Sequence, residues 1–126
     1  MTTGVYLDTS FLIRSVRRGS GEAESLSTWL QEGRPVMISA LAWAEFLCGP
    51  VTDDQKALTL QVVGEPRPIA VREAELAAQL YNDTGRRRGS LADCVIAAAA
   101  IEGGAPLATS DGSFARFTDF GLTIAS

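Results

Sequence analysis

Short apolar runs alternate with longer amphipathic stretches along this chain, which predicts strands interleaved with helices. Val5-Tyr6-Leu7 reads as a first strand, ending at Asp8. Thr9 or Ser10 can cap the helix that follows, which carries Phe11, Leu12, Ile13 and Val16 up to the glycine-containing break at 19–21. A second helix places Leu26, Trp29 and Leu30 on one face and stops at Gly33. Val36-Met37-Ile38 reads as a second strand, and Ser39 as the cap of a helix running through Cys48 to Gly49-Pro50. Thr52-Asp53-Asp54 opens another helix, with acids where the helix dipole favours them. Residues 66–70 read as a third, extended strand, and 71–83 as an amphipathic helix carrying Leu76, Leu80 and Tyr81. After a basic turn at 85–89, Ser90 predicts the cap of an alanine-rich helix to about Glu102, closed by Gly103-Gly104. Leu107-Ala108-Thr109 and Leu122-Thr123-Ile124 read as fourth and fifth strands.

This order predicts an α/β fold: a central, mostly parallel sheet of four to five strands with helices on both faces. The 126 residues suit a single domain over 1–126, with no repeat and no dividing linker. The start has no basic, apolar leader pattern. The longest apolar run, Cys94 to Ile101, is eight residues, too short to span a membrane. A soluble, cytoplasmic protein is the expectation.

Four acids interrupt the apolar pattern. Asp8 is the only charged side chain in residues 1–13, Glu45 in 35–52, Asp93 in 89–101 and Asp111 in 103–115. A carboxylate in a segment that otherwise reads as core is costly unless something pairs with it, and the basic side chains lie elsewhere in the sequence. Asp8 and Asp111 fall just past strand ends, where an open α/β sheet places its ligands. Asp93 falls in the first turn of its helix, and Glu45 lies within the helix after the second strand. Each has a purely structural alternative: Asp8 as a helix cap, Asp93 in a capping box with Ser90, Asp111 in a turn before Gly112, Glu45 at a helix boundary. A shared cation accounts for all four together.

Composition narrows the chemistry. There is no histidine, which excludes Ser-His-Asp and Cys-His nucleophile systems and imidazole-ligated metals. An ion held here is a hard one with oxygen ligands, Mg²⁺ or Mn²⁺. Cys48 and Cys94 have no disulfide or zinc spacing and read as small buried side chains. Net charge is −4, from 11 bases and 15 acids. With the four isolated acids set aside as ligands, 15 − 4 = 11 acids balance 11 bases. The bases cluster at Arg14, Arg17, Arg18 and at Arg86, Arg87, Arg88, which suit either phosphate contact or solvated helix ends.

The segments holding the four acids, Val5-Tyr6-Leu7-Asp8-Thr9-Ser10, Ser39 to Glu45, Ser90-Leu91-Ala92-Asp93-Cys94-Val95-Ile96-Ala97-Ala98-Ala99 and Leu107-Ala108-Thr109-Ser110-Asp111-Gly112-Ser113-Phe114, occur in one order across almost the whole chain. Together they resemble PIN-domain ribonucleases, specifically VapC-type toxins of bacterial type II toxin–antitoxin systems. The resemblance implies a PIN-like three-layer sandwich and a Mg²⁺- or Mn²⁺-dependent endoribonuclease that hydrolyses structured RNA, such as tRNA or ribosomal RNA. It implies Asp8, Glu45, Asp93 and Asp111 as catalytic metal ligands, with Glu45 either a ligand or orienting water. Thr9 and Thr109 match supporting hydroxyls. The arginines at 14, 17, 18 and 86–88 become candidates for RNA phosphates. A cognate VapB-type antitoxin and a homodimer are implied as partners, and Phe11, Leu26 and Trp29 can line the antitoxin groove. One departure is Ser113, where many relatives carry a further aspartate, so the number of ions stays open. Two other readings share the pattern: a non-catalytic PIN-like module binding RNA or a partner, and a structure-specific DNA nuclease. A phosphoacceptor receiver domain fits poorly, since Asp8 lacks an acidic neighbour and the only lysine is Lys56.

Overall fold

The computed structural model describes residues 3–86 and 90–125. Its order is β1 (Val5–Leu7), α1 (Thr9–Ser15), α2 (Gly21–Gln31), β2 (Val36–Ile38), α3 (Ala40–Leu47), α4 (Asp53–Val63), α5 (Val71–Asp83), α6 (Leu91–Glu102), β3 (Leu107–Ala108) and a 3-10 helix (Gly112–Phe120). Among the described residues the sheet has three strands in the order β2-β1-β3, all parallel. Helices flank it in the expected three-layer α/β arrangement, but the sheet is smaller than the four to five strands expected. No helix among the described residues is long and apolar enough to cross a membrane.

The two missing strands have a physical cause. Residues 66–70 form one parallel bridge, Ser39 to Arg67. Arg67 bonds on both sides, its N–H to Ile38 O and its carbonyl to Ala40 N, each at 2.8 Å. Pro66 and Pro68 flank it, and a ladder cannot continue through residues without N–H donors. The segment 122–124 is likewise reduced to one bridge, Leu107 to Ile124. Its partner β3 starts after Pro106 and ends at Ala108, so one register position is all it offers.

Capping explains where the helices begin. Asp8, not Thr9 or Ser10, caps α1 by accepting the Phe11 N–H. Ser39 caps α3 as expected, accepting from Ala42 N at 3.1 Å while 2% exposed. Ser39→Ala should therefore cost about 1 kcal/mol, read from the urea midpoint, because the buried N–H loses its acceptor. Thr52 and Gln55 form a reciprocal capping box on α4. Ser90 precedes α6 without a side-chain cap to its first turn, and its hydroxyl bonds instead with Cys94.

Helix α6 forms the centre of the core. Cys94, Ala97, Ala98 and Ala100 are 0% exposed, and such small side chains let the helix lie close to α5 and α3. Gly103, just past its end, has no room for a side chain: a Cβ there would sit 2.8 Å from the Tyr6 ring. Cys94 is buried as expected; Cys48 caps the C-terminus of α3 and is exposed. Phe11 and Trp29 are both buried and stack with centroids 5.6 Å apart, so both pack in the core.

Candidate active site

The three parallel strands end at one edge of the sheet, and the site is built there. Asp8 follows β1, Ser39 follows β2, and Thr109 to Asp111 follow β3. Asp8 N donates to Ala108 O at 3.0 Å, so Asp8 continues the ladder and its side chain is placed by the sheet.

Asp8 is a carboxylate 2% exposed. Its Oδ1 accepts from Phe11 N at 2.8 Å and from Ser10 Oγ at 2.9 Å. Its Oδ2 accepts from Ser10 Oγ at 3.1 Å and from Thr109 Oγ1. Burial pushes its carboxyl above the usual range; Thr109, the Phe11 N–H and Ser10 pull it back, and the charge of Asp111 pushes it up again. Capping α1 leaves Asp8 acceptor capacity to spare, because a carboxylate has more than one lone-pair direction.

The other acids are arranged around it at increasing exposure. Glu45, half-buried on α3, accepts a 2.6 Å hydrogen bond from Thr9 Oγ1. Asp93, in the first turn of α6, is not in a capping box. It faces Arg116, whose NH2 lies 3.6 Å from its Oδ2. Burial raises the Asp93 carboxyl, Arg116 lowers it, and the charges of Asp111 and Glu45 raise it. Asp111 is exposed rather than buried in a core segment, and the Ser113 N–H at 2.9 Å holds its carboxyl below the usual range. The Asp111 N–H in turn donates to Thr109 Oγ1 at 3.0 Å. The electrostatic links run from Asp8 to Asp111, and from Asp93 to both Asp111 and Glu45. Among the described residues, however, no three Asp, Glu or Cys side chains are gathered closely enough to hold a metal ion as they stand. The donors are hard oxygens on an open rim.

Several contributors were not singled out in the sequence. Ser10 bonds both Asp8 oxygens and accepts from Ser110 N at 3.2 Å, tying α1 to the loop after β3. Glu22, near the start of α2, accepts from Ser110 Oγ at 2.7 Å, and that bond with the charges of Arg14 and Arg17 lowers its carboxyl. Arg116, ion-paired with Asp93, corrects the expectation that the basic side chains lie elsewhere in the sequence. It is the only lysine or arginine in residues 89–126, a signal available from the sequence.

Of the arginines expected at RNA, Arg14 lines a cleft of about 410 Å³ with Phe11, Glu22, Ser25, Thr109 and Ser110. Thr109 and Ser110 also line a second cleft, of about 310 Å³, with Asp111, Gly112 and Ala115. Arg17 acts on Glu22, and Arg18 is exposed. Arg86 donates to Asn82 at 3.0 Å at the end of α5. Arg87 and Arg88 lie outside the described residues. Leu26 lines a separate apolar groove of about 200 Å³ between α1, α2 and α4, with Leu12, Val16, Leu58, Val62 and Val63.

Comparison with known proteins gives this edge a context. The sequence model of the PIN domain matches residues 5–119. No curated protein sequence matches. Among solved structures, VapBC2 of Rickettsia felis, bound to a promoter DNA fragment, aligns with TM-score 0.71 at 16% identity, covering 96% of each chain. The sarcin-ricin-loop-cleaving toxin VapC20 of Mycobacterium tuberculosis aligns with TM-score 0.65 at 17% identity, over 97% of this chain and 98% of that one. VapBC-5 of the same organism aligns with TM-score 0.60 at 26% identity, over 99% and 97%.

Proposed function

We propose that this chain, which belongs to the PIN-domain family, is a divalent-metal-dependent endoribonuclease and the toxin of a toxin–antitoxin pair. The observation that carries the reading is Asp8: a buried carboxylate fixed by three donors, next to Asp111, at the carboxyl edge of a parallel sheet. Three of the four leading groups acting on Asp8 are hydrogen-bond donors and the fourth is a like charge, so its negative charge awaits a cation. Asp8, Glu45, Asp93 and Asp111 are the residues that would hold Mg²⁺ or Mn²⁺. When bound, such an ion supplies Lewis-acid polarisation of a phosphoryl oxygen and an acidified water for in-line attack.

The chain's own residues prepare that reaction. Thr109 and Ser10 aim the two Asp8 oxygens, and Thr9 fixes Glu45 so that it can act as a ligand or accept the proton of an attacking water. Arg14 stands in the adjoining cleft, where its guanidinium can take a backbone phosphate. Structured RNA is the proposed substrate, in keeping with the ribosomal loop cut by VapC20. The apolar groove between α1, α2 and α4, with Leu58 60% exposed, suits the apolar face of an antitoxin helix. One domain over 1–126, a homodimer and a cytoplasmic location complete the proposal.

The test is cleavage of end-labelled tRNA and of a sarcin-ricin-loop oligonucleotide by purified protein with Mn²⁺ or Mg²⁺, then with EDTA, beside Asp93→Asn. Ion-dependent cutting that disappears in the variant is the expected result. Cutting that survives in the variant would be a contaminant's, and binding of RNA without cutting at any ion concentration would favour the non-catalytic reading.

A further inference from the structure

Arg116 is held more firmly than a surface arginine. One terminal nitrogen donates to Ser113 O at 2.6 Å, and the other lies 3.6 Å from Asp93 Oδ2. The guanidinium carbon sits 4.2 Å above the ring of Phe117, itself 0% exposed. The Nε is buried without a hydrogen-bond partner, and the side chain is only 15% exposed. A guanidinium does not shed its proton in a protein, so this is a permanent positive charge set into the wall of an acidic site.

We propose that Arg116 is a positioning residue and built-in counter-cation, which holds Asp93 in place and competes with a divalent ion for it. The proposal rests on the reading of this edge as an ion site. Two cations drawn to one half-buried carboxylate repel each other, and the fixed one cannot leave, because Ser113 and Phe117 hold it. Arg116 therefore keeps the affinity for the ion low while keeping the metal-free acids tolerable. The site thus carries one lodged positive charge beside Asp93, an arrangement suited to a weakly held ion completed by a substrate phosphate.

The test is calorimetric Mn²⁺ binding without RNA, to wild type, Arg116→Gln, Arg116→Lys, Asp8→Asn and the double variant Asp93→Asn/Arg116→Gln, each checked for folding by circular dichroism. Arg116→Met, of similar reach and no charge, stands in should the glutamine variant not fold. Arg116→Gln is expected to bind Mn²⁺ about ten-fold more tightly than wild type, with Arg116→Lys within about three-fold of it. The double variant should lose the gain, since the gain runs through Asp93. Equal or weaker binding by Arg116→Gln, with wild-type binding that Asp8→Asn abolishes, overturns this proposal and leaves the ion site intact. Absence of binding by every form, wild type included, removes the ion site and the proposal with it.

Discussion

Asp8→Asn should melt several degrees above wild type in EDTA while cleaving RNA about 100- to 1,000-fold more slowly with Mn²⁺. The two effects share one cause. Asp8 is an almost fully buried carboxylate whose charge the metal-free fold must carry. Burial pushes its carboxyl above the usual range, and hydrogen bonds from Thr109, Phe11 N and Ser10 only partly offset this. A carboxyl raised in the folded state contributes most to stability below its unfolded pKa, and that contribution is lost as pH rises through the raised value. Above that raised value the ionised wild type has lost it. Asparagine keeps the Oδ1 that caps α1, and the Ser10 and Thr109 hydroxyls can turn to accept from its amide. The variant should thus gain about 1 kcal/mol at pH 7. The gain should shrink towards pH ~4, near the unfolded carboxylate pKa. Added Mn²⁺ should raise the melting temperature of wild type and leave the variant unmoved. A variant less stable than wild type at pH 7 would mean that the Asp8 charge is already compensated.

The largest stability effect is expected away from the acids, at Phe117. Its ring is fully buried, packs edge-on against Phe114 with centroids 5.8 Å apart, and carries the Arg116 guanidinium on its face. Phe117→Ala removes a buried aromatic from the contact between the 3-10 helix and α6, and should cost about 3–5 kcal/mol in urea unfolding. Phe117→Leu should cost less than half as much, because it refills most of the volume but offers no π face to Arg116. Comparing the two separates packing from the cation–π contact. A loss below about 1 kcal/mol for the alanine variant would show that the 3-10 segment is not integral to the core.

The strands and helices were legible where apolar runs had clear ends: β1, β2, and α2 to α6 fall within a residue or two of expectation. One feature was misread and another left unassigned, although the sequence contains the signal for each. Prolines at 66 and 68 mark a segment that can bridge but not extend, and apolar content alone hid this. Phe114, Phe117 and Phe120 recur every third residue, the period of a 3-10 helix rather than of a strand or α-helix. The acids stood out because each was alone in an apolar segment, and Thr9 and Thr109 followed from the resemblance. Arg116 was hidden because it neighbours Asp93 only across the fold. Asp111 lies in an apolar segment but stands exposed, in the turn that Gly112 suggests.

The strand pairing that brings Thr109 to Asp8 joins residues 101 apart in sequence. The loop after β3 also supplies Asp111 and the Ser110 contacts to Ser10 and Glu22. During synthesis, then, residues 1–106 can emerge and begin to pack with the acidic edge still unassembled. Only residues 107–125, entering beside β1 and locked by the Leu107 bonds to Thr123 and Ala125, bring the edge together. A ribosome that stalls before residue 107 carries a nascent chain in which Asp8 has lost its Thr109 donor and its neighbouring acid. The order of synthesis thus delays completion of the acidic edge until β3 and the loop after it have been made.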